Sequence, residues 1–241
     1  MRTGRLSAVM FVVMAVVGVT ARAEEPIRDV RVWSDAEKKT HNPEAMAQLA
    51  SVLADRDPKT SELMARNGVL NFPNQRGFHL VLGVLHERKG EIAEAYWEYS
   101  YEMLLEGPGS ETGEIAAEYT AKLLDGKAGA DRAEVMDTIS ALQKFANNDG
   151  KAAADTLTRV MAKRGERVPL LVYLAGAKDV AGDHPGAQAT YRRALQLAPS
   201  LAPVWIELSQ SLQRSGDQAG AKAALDQARK VDPKSWRFAA R

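Results

Sequence analysis

The sequence predicts an all-α fold built from repeated helix pairs, and three observations carry that expectation. The first is self-similarity: Leu171, Leu174, Ala175, Gly182, Ala187, Tyr191, Ala194 and Pro199 are matched about 34 places later by Trp205, Leu208, Ser209, Gly216, Ala221, Leu225, Ala228 and Pro233. The second is composition. A chain of 241 residues that is 45% hydrophobic, 26% charged, only 6% aromatic and rich in alanine suits closely packed helices better than a β-sandwich. The third is punctuation, since capping side chains, prolines at helix starts and glycines after helix ends recur along the chain. A unit of this length cannot bury its apolar face alone, so function is expected on an extended surface.

Residues 1–23 read as a secretory signal. Arg2 and Arg5 make a basic start, Leu6 to Val19 is a run of apolar and small residues, and Ala21-Arg22-Ala23 is a small-x-small cleavage site. An uncleaved anchor is the alternative, but the run is shorter than the roughly 20 residues of a spanning helix. With no cysteine there is no lipid-attachment thiol, disulfide or thiolate metal site, and the expected location is periplasmic or secreted. Cleavage removes Arg2, Arg5 and Arg22, taking the 32 basic residues to 29 against 31 acids. A globally basic nucleic-acid binder is thereby excluded. The charge is uneven, however: Glu87 to Glu118 holds nine acids against Arg88 and Lys89, and Gln188 to Arg241 holds nine bases against four acids. Such polarity can steer a partner or a second copy of the chain.

Residues 24–41 show no sustained helical period and read as a linker or an arm, with Ser34-x-x-Glu37 able to cap one short turn. An N-terminal array is expected over 42–126. Its first, degenerate unit (42–75) pairs a helix from Pro43 to Ala54 with one from Pro58 to Val69, each started by Asn-Pro or Asp-Pro. The second unit (76–109) pairs Gly77–Arg88 with Glu91–Glu106 and places small Ala95 against Leu82-Gly83. An extra helix over 112–124 then breaks the phase, stopped by Asp125-Gly126, with the break at Gly126 to Ala130. The C-terminal array (131–235) has units 134–167, 168–201 and 202–235, and Asp131-x-x-Glu134 reads as the capping box of its first helix. A tail, 236–241, containing Trp236 and Phe238, is too short for another helix.

These residues resemble the tetratricopeptide repeat, whose pattern is W-x2-L-G-x2-Y, A-x3-F and P over 34 residues. Trp205-x2-Leu208-Ser209-x2-Leu212, Ala221-x3-Leu225 and Pro233 carry the resemblance best; Leu171, Leu174-Ala175, Ala187, Tyr191 and Pro199 carry it apart from Lys178. His79-x2-Leu82-Gly83-x2-His86 with Ala95-x3-Tyr99 is a third match. The resemblance implies a superhelix of antiparallel helix pairs, with one irregular break in the middle, whose first helices line a concave groove. The groove positions it implies are Gly77, Leu80, Val84, Glu87 and Arg88; Pro169, Val172, Gly176, Asp179 and Val180; and Pro203, Ile206, Gln210, Gln213 and Arg214. The lysine and asparagine with which such domains clamp a C-terminal carboxylate are missing, so an apolar or amphipathic segment is the expected ligand.

Catalytic signals are few. His86-Glu87 opens a zinc-protease motif, but Arg88-Lys89-Gly90 follows and the second histidine is absent. His79 and His86, two turns apart, read as packing histidines, and there is no G-x-S-x-G or phosphate loop. No enzyme, cofactor or metal is expected. Trp97 and Tyr101 share a face rotated by about 160 to 200° from inward-facing Tyr99, so they either pack beneath the extra helix or await a partner. The expected function is a non-catalytic adaptor or assembly factor that binds a protein or peptide segment in the envelope. The candidate contacts are Leu80, Val84, Glu87, Arg88, Trp97, Tyr101, Val172, Asp179, Ile206, Gln210, Gln213 and Arg214. A self-associating structural subunit and an accessory arm of a separate enzyme are the alternatives.

Overall fold

Helix starts and stops follow directly from a few side chains, and they set the architecture. The computed structural model describes residues 29–106, 111–123, 125 and 130–233, so the segment expected to be a signal, the break at Gly126 to Ala130 apart from Ala130 itself, and the tail lie outside the described residues. Within the described residues there are twelve α-helices and no strand: α1 (Asp35–Thr40), α2 (Pro43–Arg56), α3 (Pro58–Asn71), α4 (Phe78–Arg88), α5 (Ile92–Glu106), α6 (Glu111–Lys122), α7 (Ala130–Ala146), α8 (Gly150–Arg164), α9 (Val168–Val180), α10 (His184–Leu197), α11 (Ala202–Arg214) and α12 (Gln218–Val231). Neighbours pack as pairs, α2 with α3, α4 with α5, α7 with α8, α9 with α10 and α11 with α12, and successive pairs stack. The fold is all-α and repeat-like.

Asn42, Asp57, Asp149, Asp183 and Asp217 cap the starts of α2, α3, α8, α10 and α12 by accepting backbone N–H groups that the helix leaves unpaired. The turns of the C-terminal half repeat in register. Asn148, Gly182 and Gly216, 34 residues apart, all have positive φ, at 63°, 83° and 88°. Each is followed by its capping aspartate. Gly186 and Gly220 are needed for the same cap, because a Cβ there would lie 2.0 and 2.3 Å from an oxygen of Asp183 and Asp217.

The Asp131 side chain of the capping box expected at Asp131-x-x-Glu134 lies outside what the structure describes. Helix α7 already begins at Ala130, and the Glu134 carboxylate faces Trp97 Nε1 at 3.3 Å and Arg164 Nε at 2.6 Å. The box at Ser34 does form: the Glu37 N–H donates to Ser34 Oγ (3.3 Å), and the Ser34 N–H donates to Glu37 Oε2 (2.8 Å).

Residues 29–41 lie as an arm along α3. Asn67 and Asn71, one turn apart and buried, act as side-chain rungs: Arg31 and Trp33 donate N–H to their Oδ1 atoms (3.1 and 2.7 Å), and their amides donate to the carbonyls of Asp29 and Arg31 (2.8 and 2.9 Å). Trp33 is buried in a core with Met46, Ala50, Met64, Phe78 and Leu82, stacked on His41 at 4.2 Å. A bare linker is the wrong description here, because Trp33 and the two asparagines give the segment both apolar burial and paired backbone.

Helix α5 is the centre of the molecule. It packs against α4, α6, α7 and α9, and from Ile92 to Leu105 only Glu94 has a side chain substantially open to solvent. Its first half, Ile92 to Tyr99, belongs to a core shared with Leu123, Val135, Leu157, Leu170 and Leu174. Its end, Leu104 and Leu105, enters a second core with Val168, Leu171, Val172, Val204 and Leu208. Its polar stripe, Glu94, Glu98 and Glu102, is paired within the chain. The extra helix of the sequence, α6, lies on α5, with Tyr119 5.5 Å from the Tyr99 ring. Over Gly83 sits the Tyr99 ring, 2.3 Å from where a Cβ would be; this, more than Ala95, is why the pair needs a glycine there.

The chain also closes on itself. Asn74, in the turn between α3 and α4, donates to the carbonyls of Ser200 (2.7 Å) and Val231 (3.3 Å) and accepts the N–H of Ala202 at 3.1 Å. One asparagine thus joins the first helix pairs to the last. None of the described helices is long and apolar enough to cross a membrane.

Candidate functional site

The first helices of the last two pairs, α9 and α11, meet at a buried carboxylate. Asp179 has a side chain only 3% exposed, and its oxygens receive Arg214 Nη2 (2.6 Å), Ser211 Oγ (2.8 Å) and His184 Nδ1 (2.9 Å). Burying a carboxylate is costly unless hydrogen bonds replace its water, and here three donors do so. Asp179 and Arg214, both among the expected contacts, are brought together and bind each other. Gln210 is half-buried and Gln213 exposed, and Val180 is 38% exposed at the end of α9.

The starts of the same helices are covered. Pro169, Val172, Pro203 and Ile206 are buried, and Val172 shares its core with Leu104 and Leu105 of α5. The chain's own helix therefore occupies part of the face that the repeat pattern marks as a groove. Leu80 and Val84 on α4 are half-buried against the middle core. Glu87 accepts the Tyr99 hydroxyl (2.9 Å), and Arg88 reaches the Ala54 carbonyl and Asp55 Oδ1, each at 2.5 Å, tying α4 to α2.

Trp97 and Tyr101 do not stand on a free convex face. Trp97 is 3% exposed and meets Glu134 of α7, in a core that also holds Ala116 of α6. Tyr101 stacks on His79 with ring centroids 4.3 Å apart and planes within 2°. Burial, and then the charge of Glu98, push the Tyr101 phenol well above its ordinary pKa. Between α5 and the start of α9 the two rings line a shallow cleft of about 270 Å³ with Glu98, Glu166, Arg167, Val168 and Leu197. Glu94 and Arg167 are paired beside it. Sequence reasoning missed Arg167, whose only signal was a charged residue preceding Val168-Pro169.

The acidic stretch is largely engaged within the chain: Glu91 with His86 (2.5 Å), Glu94 with Arg167, Glu98 with His79 (2.7 Å), Glu118 with Lys122, and Glu102 accepting the backbone N–H of Gly77 (2.7 Å) and Leu80 (3.2 Å). Both histidines are therefore placed by carboxylates. Among the described residues no group of three or more His, Asp or Glu side chains is arranged to hold a metal ion. No protein-family model matches the chain, and no curated protein matches it.

Proposed function

We propose that the chain is an exported tetratricopeptide-type repeat protein that binds a protein or peptide segment in the cell envelope, without catalysis, as an adaptor or assembly factor. The observation that supports this most directly is the register of the turns: Asn148, Gly182 and Gly216 take positive φ at a 34-residue period, each followed by a capping aspartate. Stacked pairs with that period present their first helices side by side, a geometry suited to holding an extended or helical segment. With the start of α9 packed against α5 and the start of α11 buried, the lane left for a partner runs along their ends, past Val180, Gln210, Gln213 and Arg214.

Photo-crosslinking residues placed at Gln210 and Gln213, with Lys163 as an exposed control, test the reading in the native host. A discrete adduct at 210 and 213, absent at 163, is the expected result. No adduct at either position would sink the proposal, and an adduct of twice the chain mass would replace it with self-association.

A further inference from the structure

A second feature lies between α7 and α8. Lys144 and Arg159 both turn toward one neutral oxygen: Lys144 Nζ and Arg159 Nη2 each lie 3.2 Å from Thr156 Oγ1. That hydroxyl donates its own proton to the Ala152 carbonyl at 2.9 Å, so with two donors on its lone pairs it is saturated. Thr156 is buried, and neither cation forms an ion pair among the described residues. Two like charges are thus held side by side with N–H donors still unassigned, at the wall of an open cleft of about 580 Å³ also lined by Thr158 and Asp155.

The repeat supplies an internal comparison. One period later Lys178 donates to Thr190 Oγ1 (3.0 Å), which donates to the Gly186 carbonyl (2.7 Å), so the lysine–threonine pair belongs to the scaffold. The arginine does not behave alike in the two places. Arg193, at the position of Arg159, is neutralised by Glu166 (2.8 Å) and held by Gln196 (2.9 Å). Arg159 has no such carboxylate and joins the lysine. The second cation without its counterion is what distinguishes this unit from the next.

We propose that Lys144 and Arg159, with the Thr158 hydroxyl at the rim, form a binding site for a small tetrahedral oxyanion, a phosphate or a phosphate monoester. Two converging cationic donors match the doubly charged, acceptor-only oxygens of such a group. The cleft is larger than a phosphate and leaves room for the alcohol portion of a monoester. Asp155, on the lining, opposes the anion and sets the affinity below what two cations alone would give.

Isothermal titration of the full chain with inorganic phosphate and, in a second arm, glycerol phosphate tests this at low and high sodium chloride. Saturable binding in at least one arm, weakened by salt, is expected, and which arm binds more tightly separates free phosphate from its esters. Lys144→Gln with Arg159→Gln should weaken binding at least tenfold, while Lys178→Gln with Arg193→Gln should leave it unchanged. Asp155→Asn should tighten it severalfold. Melting curves confirm that each variant is folded, and Arg159→Lys, which keeps the charge, should retain most of the binding. Absence of saturable binding in both arms, or binding indifferent to Lys144 and Arg159, would overturn the site.

Discussion

At Asp179 a single carboxylate joins α9 to α11, the first helices of two successive units. Replacing it with alanine removes three charge-assisted contacts and leaves Ser211, fully buried, without its acceptor. Because Arg214 is half-exposed and can return to water, the expected cost is about 2 kcal/mol, read as a shift in urea midpoint at constant m-value. Gly150 is a second sensitive residue. A Cβ there would lie 2.5 Å from the Ala177 carbonyl oxygen and the Ala181 nitrogen, which are backbone and cannot swing aside. Gly150→Ala should therefore destabilise by about 1 to 3 kcal/mol, whereas alanine at a loosely packed site such as Gln213 should change the melting temperature little. Of these residues, the capping aspartates and turn glycines were legible because a cap and a positive φ are local requirements. The bond of Asp179 to Arg214 was not, since both looked like surface polar residues until the stacking of α9 on α11 joined them.

Among the elements, α5 makes the sharpest predictions. Trp97 is buried against α7 with its indole on Glu134, so Trp97→Ala should cost about 3 to 5 kcal/mol and lower the melting temperature whatever partner is present. Burial raises the phenols of Tyr96, Tyr99 and Tyr101 above their ordinary value, and the bond to Glu87 adds to this at Tyr99. A raised phenol keeps its proton in the folded chain after the unfolded chain has lost it. Stability is thus fully present below the unfolded value of about 10 and falls as pH rises above it. Circular dichroism melts from pH 8 upward should be flat and then decline steeply, and Tyr99→Phe should make that decline shallower. The helix pattern of Ile92–Glu106 was plain from the sequence. The cover on its far face was not, because periodicity read against a regular repeat assigns that face to solvent, and its partners Glu134 and Arg167 lie 37 and 73 residues from Trp97 and Glu94. The same limit explains why Val172 and Ile206 looked accessible.

For the whole molecule the decisive residue is Asn74. Its three bonds to Ser200, Val231 and Ala202, together with Leu104 and Leu105 in the C-terminal core, turn an open stack into a closed one. In an open solenoid each unit touches only its neighbours and can fray independently. Here Asn74→Ala should cost about 1 to 2 kcal/mol and raise hydrogen exchange at both ends together, in α12 and in α3. Exchange that rises in α12 alone would show that the ends are not coupled. The repeat period made the stacking legible from the sequence, but nothing in a period says that the first pair will meet the last. That closure also fixes an order of events. During synthesis, at about 5 to 20 residues per second, α5 emerges some seconds before α7 and α9 exist to pack against it. For that interval Trp97, Leu104 and Leu105, whose partners lie on α7 and in the C-terminal core, stand in solvent, so the nascent chain should depend on a holding factor until its last third has been made.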